Sequence, residues 1–388
     1  MISNNLIFAA ALQSGYGGYE PPPPPPGYNL FSWGRNDTGA LGLSDTSYRS
    51  SPVQVGSTAI WTEITSGDIH SLGIRNDGTL WSWGDNTYGE LGLGDTSVRY
   101  SPTQVGTLTN WSKVSTGNNH TLAIKTDGTL WSWGYNGNGE LGIGNTSTTL
   151  SPVQVGSHTN WAKISAGANH SLAIKTDGTL WAWGANTAGE TGHGISSGTG
   201  GSGVLSPRQV GLLTDWAEIA GGNYFTLAVK TNGTLWTWGD NPNGNLGSGN
   251  TTDRSSPVQV GSLTNWKYVA ASQGQTNFCH SLSVKTDGTL WSWGYNNGAL
   301  GDGTSTQRTS PVQVGGPFGA TNWANVDAGS GCSIAIKTDG TIWTWGANFN
   351  GELGLGNTTT RSSPVQVGSS TSWLKIMAGR NHMHAIRS

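Results

Sequence analysis

Five histidines, His70, His120, His170, His280 and His382, fall at one place in a recurring pattern, and Phe225 and Cys332 take that place in two further units. Imidazoles serve as metal ligands and as general bases, so a ring of them invites both readings. One ion needs its ligands about 2.0 to 2.1 Å from a shared centre, and side chains contributed once per repeat cannot converge so closely. The histidines are therefore read as structural, their ring nitrogens capping backbone groups at the Gly turn that precedes them. His382 and His384 make a better metal pair but bring no third ligand.

Four acids, Glu90, Glu140, Glu190 and Glu352, also recur once per unit, with Ala40, Asn245 and Ala299 in their place elsewhere. Acid-base work on one bond needs two carboxylates flanking it, so these read as loop hydrogen-bond acceptors. No Gly-rich segment ends in the Lys-Ser/Thr that holds nucleotide and magnesium. Ser and His recur as parts of the repeat, so no triad stands out. The residues point to no catalytic, cofactor or metal site, and the chain is read as no enzyme.

The bulk composition narrows the partners. Charged residues are 11% of the 388, the net charge is −3, and Gly numbers 61. Nucleic-acid binding rests on clustered Lys and Arg, which are missing here, so nucleic acid is excluded as a partner. Cys279 and Cys332 are too few for a disulfide scaffold and lack C-x-x-C spacing. Free, buried thiols are the default reading, with pairing left open. No apolar run reaches the roughly 18 residues of a membrane span.

The elements that position these residues follow from three markers. The second Trp of a Trp-x-Trp-Gly segment falls at Trp83, Trp133, Trp183, Trp238, Trp293 and Trp345, with Trp33 as the seventh after Phe31. Ser-Pro-x-Gln-Val-Gly begins at Ser51, Ser101, Ser151, Ser206, Ser256, Ser310 and Ser363, and Trp-x-x-Ile/Val at Trp61, Trp111, Trp161, Trp216, Trp266, Trp323 and Trp373. A period near 50 with β patterning and Gly-rich turns marks propeller blades. Each unit carries four strand signals, as at 161–165, 171–175, 179–183 and 207–210, and Asp-Gly pairs read as two-residue hairpins between the second and third.

Only six such turns occur, Asn232-Gly233 included. The repeats begin at a third strand, Leu30 to Trp33, and the last unit stops after its second. The two partial units add up to one blade. The expected fold is all-β: a seven-bladed β-propeller with four antiparallel strands per blade, its closing blade shared by the N- and C-terminal segments. Residues 28–388 form the propeller, and 1–27 an anchor and linker tail.

The run Gly-x-x-His-x-x-Ala-Ile-Lys-x-Asp-Gly-Thr-Leu-Trp-x-Trp-Gly, with Gly-Glu-Leu-Gly and Ser-Pro-Val-Gln-Val-Gly, resembles the regulator of chromosome condensation repeat over residues 30–388. The resemblance implies the seven-bladed fold. It does not imply one function, because the family includes an exchange factor for a small GTPase, a plant UV-B photoreceptor and a secreted β-lactamase inhibitor. The repeat markers account for all 20 tryptophans, and the photoreceptor's Gly-Trp-Arg-His-Thr motif is absent.

The first 27 residues differ from the rest. Their apolar start, with Leu6, Ile7 and Phe8 as the anchor, and the run Pro21 to Pro26 resemble the N-termini of structural proteins of marine tailed bacteriophages. Six prolines make a stiff spacer of roughly 19 Å. The apolar start also resembles a signal-peptide core, without the leading positive charge.

Departures from a repeat are where a scaffold adds function. Two insertions, within 195–204 and 272–279, belong to the third and fifth units counted from Trp61, and Tyr224-Phe225 replaces Asn-His in the unit between. With the Asp-Gly hairpins at the bottom, all three lie on top. The expected contact patch is Tyr224, Phe225, Gln273, Asn277, Phe278 and Tyr295, suited to protein or surface glycan. The expected role is a binding or structural protein, a virion-associated phage tail or capsid appendage that contacts a host surface or other virion proteins, the latter through its tail. The alternative is a secreted or cell-surface bacterial interaction module or protein inhibitor.

Overall fold

A computed structural model describes residues 28–56, 60–198, 203–274, 278–316 and 319–388. The anchor residues Leu6, Ile7 and Phe8, the polyproline run and Asn277 lie outside the described residues. Within them, 28 strands form seven four-stranded antiparallel sheets arranged as the blades of one propeller. Blades one to six are meanders, each starting from its Trp-x-x-Ile/Val strand. In the seventh, the C-terminal strands Trp373–Ala378 and His382–Arg387 are joined by Asn29–Gly34 and Arg49–Gln54. Asn29 pairs with Arg387 and Gly34 with His382, so the chain ends close the ring.

The Trp-x-x-Ile/Val strand is innermost in every blade. Burial is greatest between sheets, where seven apolar clusters each join residues of adjacent blades. The second Trp of each Trp-x-Trp-Gly segment, or Trp33 in the last blade, is fully buried there. The preceding Trp is only half-buried at the lower edge, under a cation: Lys125 Nζ lies 3.4 Å from the Trp131 ring centre and 4.9 Å from that of Trp111. Five other blades place Arg75, Lys175, Lys230, Lys285 or Lys337 over two indoles, and Arg387 covers Phe31 and Trp373.

The hairpins are one residue longer than the sequence suggests. Arg75 N donates to Thr79 O, leaving three residues in the loop, and only Gly78 has a positive φ, +76°. This is a type I turn closed by a left-handed glycine. Asp77 accepts from Thr79 N at 3.0 Å and from its hydroxyl at 2.6 Å, and that hydroxyl accepts from Trp81 Nε1 at 2.8 Å. A Cβ on Gly78 would stand 2.0 Å from Thr109 O in the next inter-blade loop. Hairpins and inter-blade loops are thus packed together on the lower face.

Candidate binding surfaces around the axis

The histidines do not cap the Gly turn. His120 Nε2 meets Ser171 Oγ of the next blade at 3.0 Å, His170 meets Thr226 at 3.0 Å, His280 meets Ser333 at 2.9 Å and His382 meets Ser71 at 3.1 Å. Each of these hydroxyls donates its proton to a carbonyl in the preceding blade's Gly-Glu-Leu-Gly loop, as Ser171 does to Glu140 at 2.7 Å. The hydroxyl must then accept from the imidazole, which fixes a neutral ring with its proton on Nε2. Burial holds these rings far below their ordinary pKa, to about 3 for His120 and His170 and about 4 for His280 and His382.

The same carbonyl also accepts from the buried indole, Trp183 Nε1 to Glu140 O at 2.8 Å. Where blade six carries Cys332 in place of His, blade seven carries Met383 in place of Ser or Thr, and both lie in one apolar cluster. Both cysteines are free and buried. The recurring acids act as loop acceptors: Glu140 takes Asn138 N and Nδ2, both at 2.8 Å. Among the described residues no group of three or more His, Cys, Asp or Glu is placed to hold a metal ion.

The channel on the axis is lined by the inner strands and filled from both ends. Low in it, Lys375 pairs with Glu63 at 2.6 Å and Lys163 with Glu218 at 2.7 Å. The two ammonium groups also cap the carbonyls of Thr62 and Ala217 across blade boundaries. Burial raises the Glu218 carboxyl to about 7 even beside Lys163. Higher up, Asp327 accepts from Ala328 N and Ala378 N.

Gln273 closes the top. Its Nε2 donates to Ala166 O at 2.7 Å and Thr116 O at 3.2 Å, so blade five reaches across to blades two and three. The cleft beneath, among Thr65, Ser115, Ser165 and Gln273, is about 40 Å³. That is room for two or three waters, against several hundred Å³ for a ligand pocket.

The predicted patch is thereby reduced. Phe225 is fully buried in the cluster with Leu227, Trp266 and Cys279, because it fills the slot that His fills elsewhere. Gln273 is a strut in the channel. Tyr224 is half-buried, its hydroxyl 3.5 Å from Asn169 Nδ2. Phe278 and Tyr295, both half-buried, meet edge to face with centroids 4.9 Å apart. The structure adds top-face groups that repeat reading passed over: Phe349, 71% exposed, Ile195, 59% exposed, and the Tyr88–Tyr135 pair at 5.0 Å. The only signal for them is an apolar residue in a variable slot of the long upper loops.

A family model described as an RCC1-like domain matches residues 29–385. The chain belongs to the RCC1-like domain family. This RCC1-like propeller is 31% identical over 147 residues to the ultraviolet-B receptor UVR8 of Arabidopsis thaliana, a match covering 38% of this chain and 32% of that one. It is 31% identical over 170 residues to the mitochondrial RCC1 domain-containing protein RUG3 of the same plant, covering 43% and 37%. The matches thus span about a third of each relative's own length.

Among solved structures, human WBSCR16 superposes with a TM-score of 0.81 at 21% identity, over 93% of this chain and 99% of that one. Prp20p of Saccharomyces cerevisiae gives 0.80 at 18%, over 100% and 95%. At such identities the likeness is one of fold.

Proposed function

We propose that this RCC1-like propeller is a protein-binding module without catalysis of its own, and that its contact surface is the top face over blades three to five. The observation that carries this reading is the Phe278–Tyr295 pair, half-buried on the upper loops of blade five, with Phe278 at the end of that blade's inserted turn. Aromatic side chains are enriched at the centre of protein contacts. Four of the recurring histidines and the buried indoles are meanwhile occupied in joining blade to blade, and the recurring Glu side chains in bracing their own loops. Protein binding also has precedent in the family. Prp20p is described by its binding to Gsp1p and histones, and Kap60 has been captured on yeast RCC1.

The biological setting we propose is a virion-associated appendage of a tailed phage, joined to other virion proteins through residues 1–27. The low charge, the hexaproline and the apolar Leu6 to Leu12 run support it. A secreted or cell-surface bacterial interaction module or inhibitor is the second reading, favoured by the same apolar run taken as a leader. Mass spectrometry of purified particles and of culture medium separates them: protein on particles with its first residues intact supports the first, and protein in the medium cut near residue 15 overturns it. The contact surface itself is tested by Phe278→Ala with Tyr295→Ala, which should abolish saturable binding while leaving the fold unchanged.

A further inference from the structure

The lower face carries an apolar arc that the propeller does not use. Successive inter-blade loops present Leu108, 46% exposed, Leu212 and Leu213, 90% and 48%, and Leu263, 47%. Between them His158 is exposed as a residue yet lies with its ring against Trp161 and Trp181. Single exposed leucines need no explanation, but four on loops that share one face do.

We propose that this arc is the docking site of the chain's own apolar segment Leu6 to Leu12. The chain enters the fold on this same face. Tyr28 O accepts from Trp61 N at the boundary of blades seven and one, next to the boundary that carries Leu108.

Reach is sufficient. Sixteen residue steps separate Leu12 from Tyr28, and the hexaproline alone spans roughly 19 Å at about 3.1 Å per residue. Ten further steps at about 3.4 Å bring the total to roughly 50 Å. A domain of this size is about 50 Å across, so every loop of the arc lies within range.

Chemistry favours this occupant over a second copy. Residues 1–27 contain one charged side chain, Glu20. The hairpins beside the arc expose Asp77, Asp127 and Asp177, whose nearby cations are drawn in over indoles. Two lower faces set together would oppose those carboxylates, whereas an uncharged apolar segment would not. The proposal holds whichever partner the top face binds. It means that the anchor is sheltered by its own propeller until another surface competes for it.

The test uses the full chain with a photoreactive benzoylphenylalanine at position 212. Irradiation of the monomer should yield intramolecular cross-links to peptides from residues 1–20. Cross-links to a second copy, or none to those peptides, overturn the proposal. As a second measurement, deleting residues 2–20 should speed amide exchange in 105–110 and 210–215 several-fold and raise binding of an apolar dye. Leu212→Asp with Leu263→Asp should reverse the dye binding. Unchanged exchange on deletion also overturns it.

Discussion

Trp33 Nε1 donates to the carbonyl of Glu352 at 2.9 Å, across 319 positions of sequence. It is the same bond that Trp83 makes to Ala40 and Trp133 to Glu90 between consecutive blades, here made between the two ends of the chain. The ring is therefore closed by repeat chemistry and not by a special clasp. Trp33→Ala should cost about 3 to 5 kcal/mol, as for other buried Trp truncations. Deleting residues 1–56 should abolish cooperative monomeric unfolding in denaturant, because the edge of His382–Arg387 is then left unpaired.

The buried histidines set a pH dependence. His170 is held at about 3, against an ordinary 6.5. Below pH 6.5 the unfolded chain takes up a proton that the folded one refuses, so this residue costs stability increasingly as pH falls towards 3. Phe already occupies the equivalent place at Phe225. His170→Phe should lose the Thr226 hydrogen bond yet gain on wild type by about 1.4 kcal/mol per pH unit between pH 6 and 4. Denaturant melts at several pH values check the slope. A stability difference that is flat with pH contradicts the assignment.

Gln273→Ala should remove the two hydrogen bonds that cross the channel, at about 1 to 2 kcal/mol, since water can reach the freed carbonyls. Binding at the top face should be unaffected. A loss of binding with unchanged stability would return Gln273 to the contact surface.

Lys125→Met keeps the aliphatic stem over Trp111 and Trp131 but removes the charge. It should cost about 1 to 2 kcal/mol through the lost cation–π contact. A salt-insensitive loss is expected, because the ammonium is buried against the rings.

What the sequence discloses here is what repeats. The seven Trp-Gly markers, the missing seventh hairpin and the partial end units were enough to place Asn29–Gly34 beside His382–Arg387. What it hides is where a departure points. Tyr224-Phe225 reads as one exposed aromatic pair, yet alternation turns Phe225 inward to the histidine slot and leaves only Tyr224 at the surface. Gln273 begins an inserted turn, and an insertion has no period from which to read that its amide bends into the channel. The histidine partners were legible in principle, since Ser or Thr follows nearly every one. In four blades that hydroxyl serves the preceding blade's histidine, a relation between units that one unit cannot display.

Protein binding at the top face is decided by comparing wild type with the double variant Phe278→Ala, Tyr295→Ala. Both are immobilised and exposed to the detergent-released proteins of the host surface and to purified particles, and saturable binding is measured after equal melting temperatures have been established. Wild type should bind a protein partner saturably, and the variant at least tenfold more weakly. Equal binding by both, or turnover of a substrate in place of binding, contradicts the proposed function.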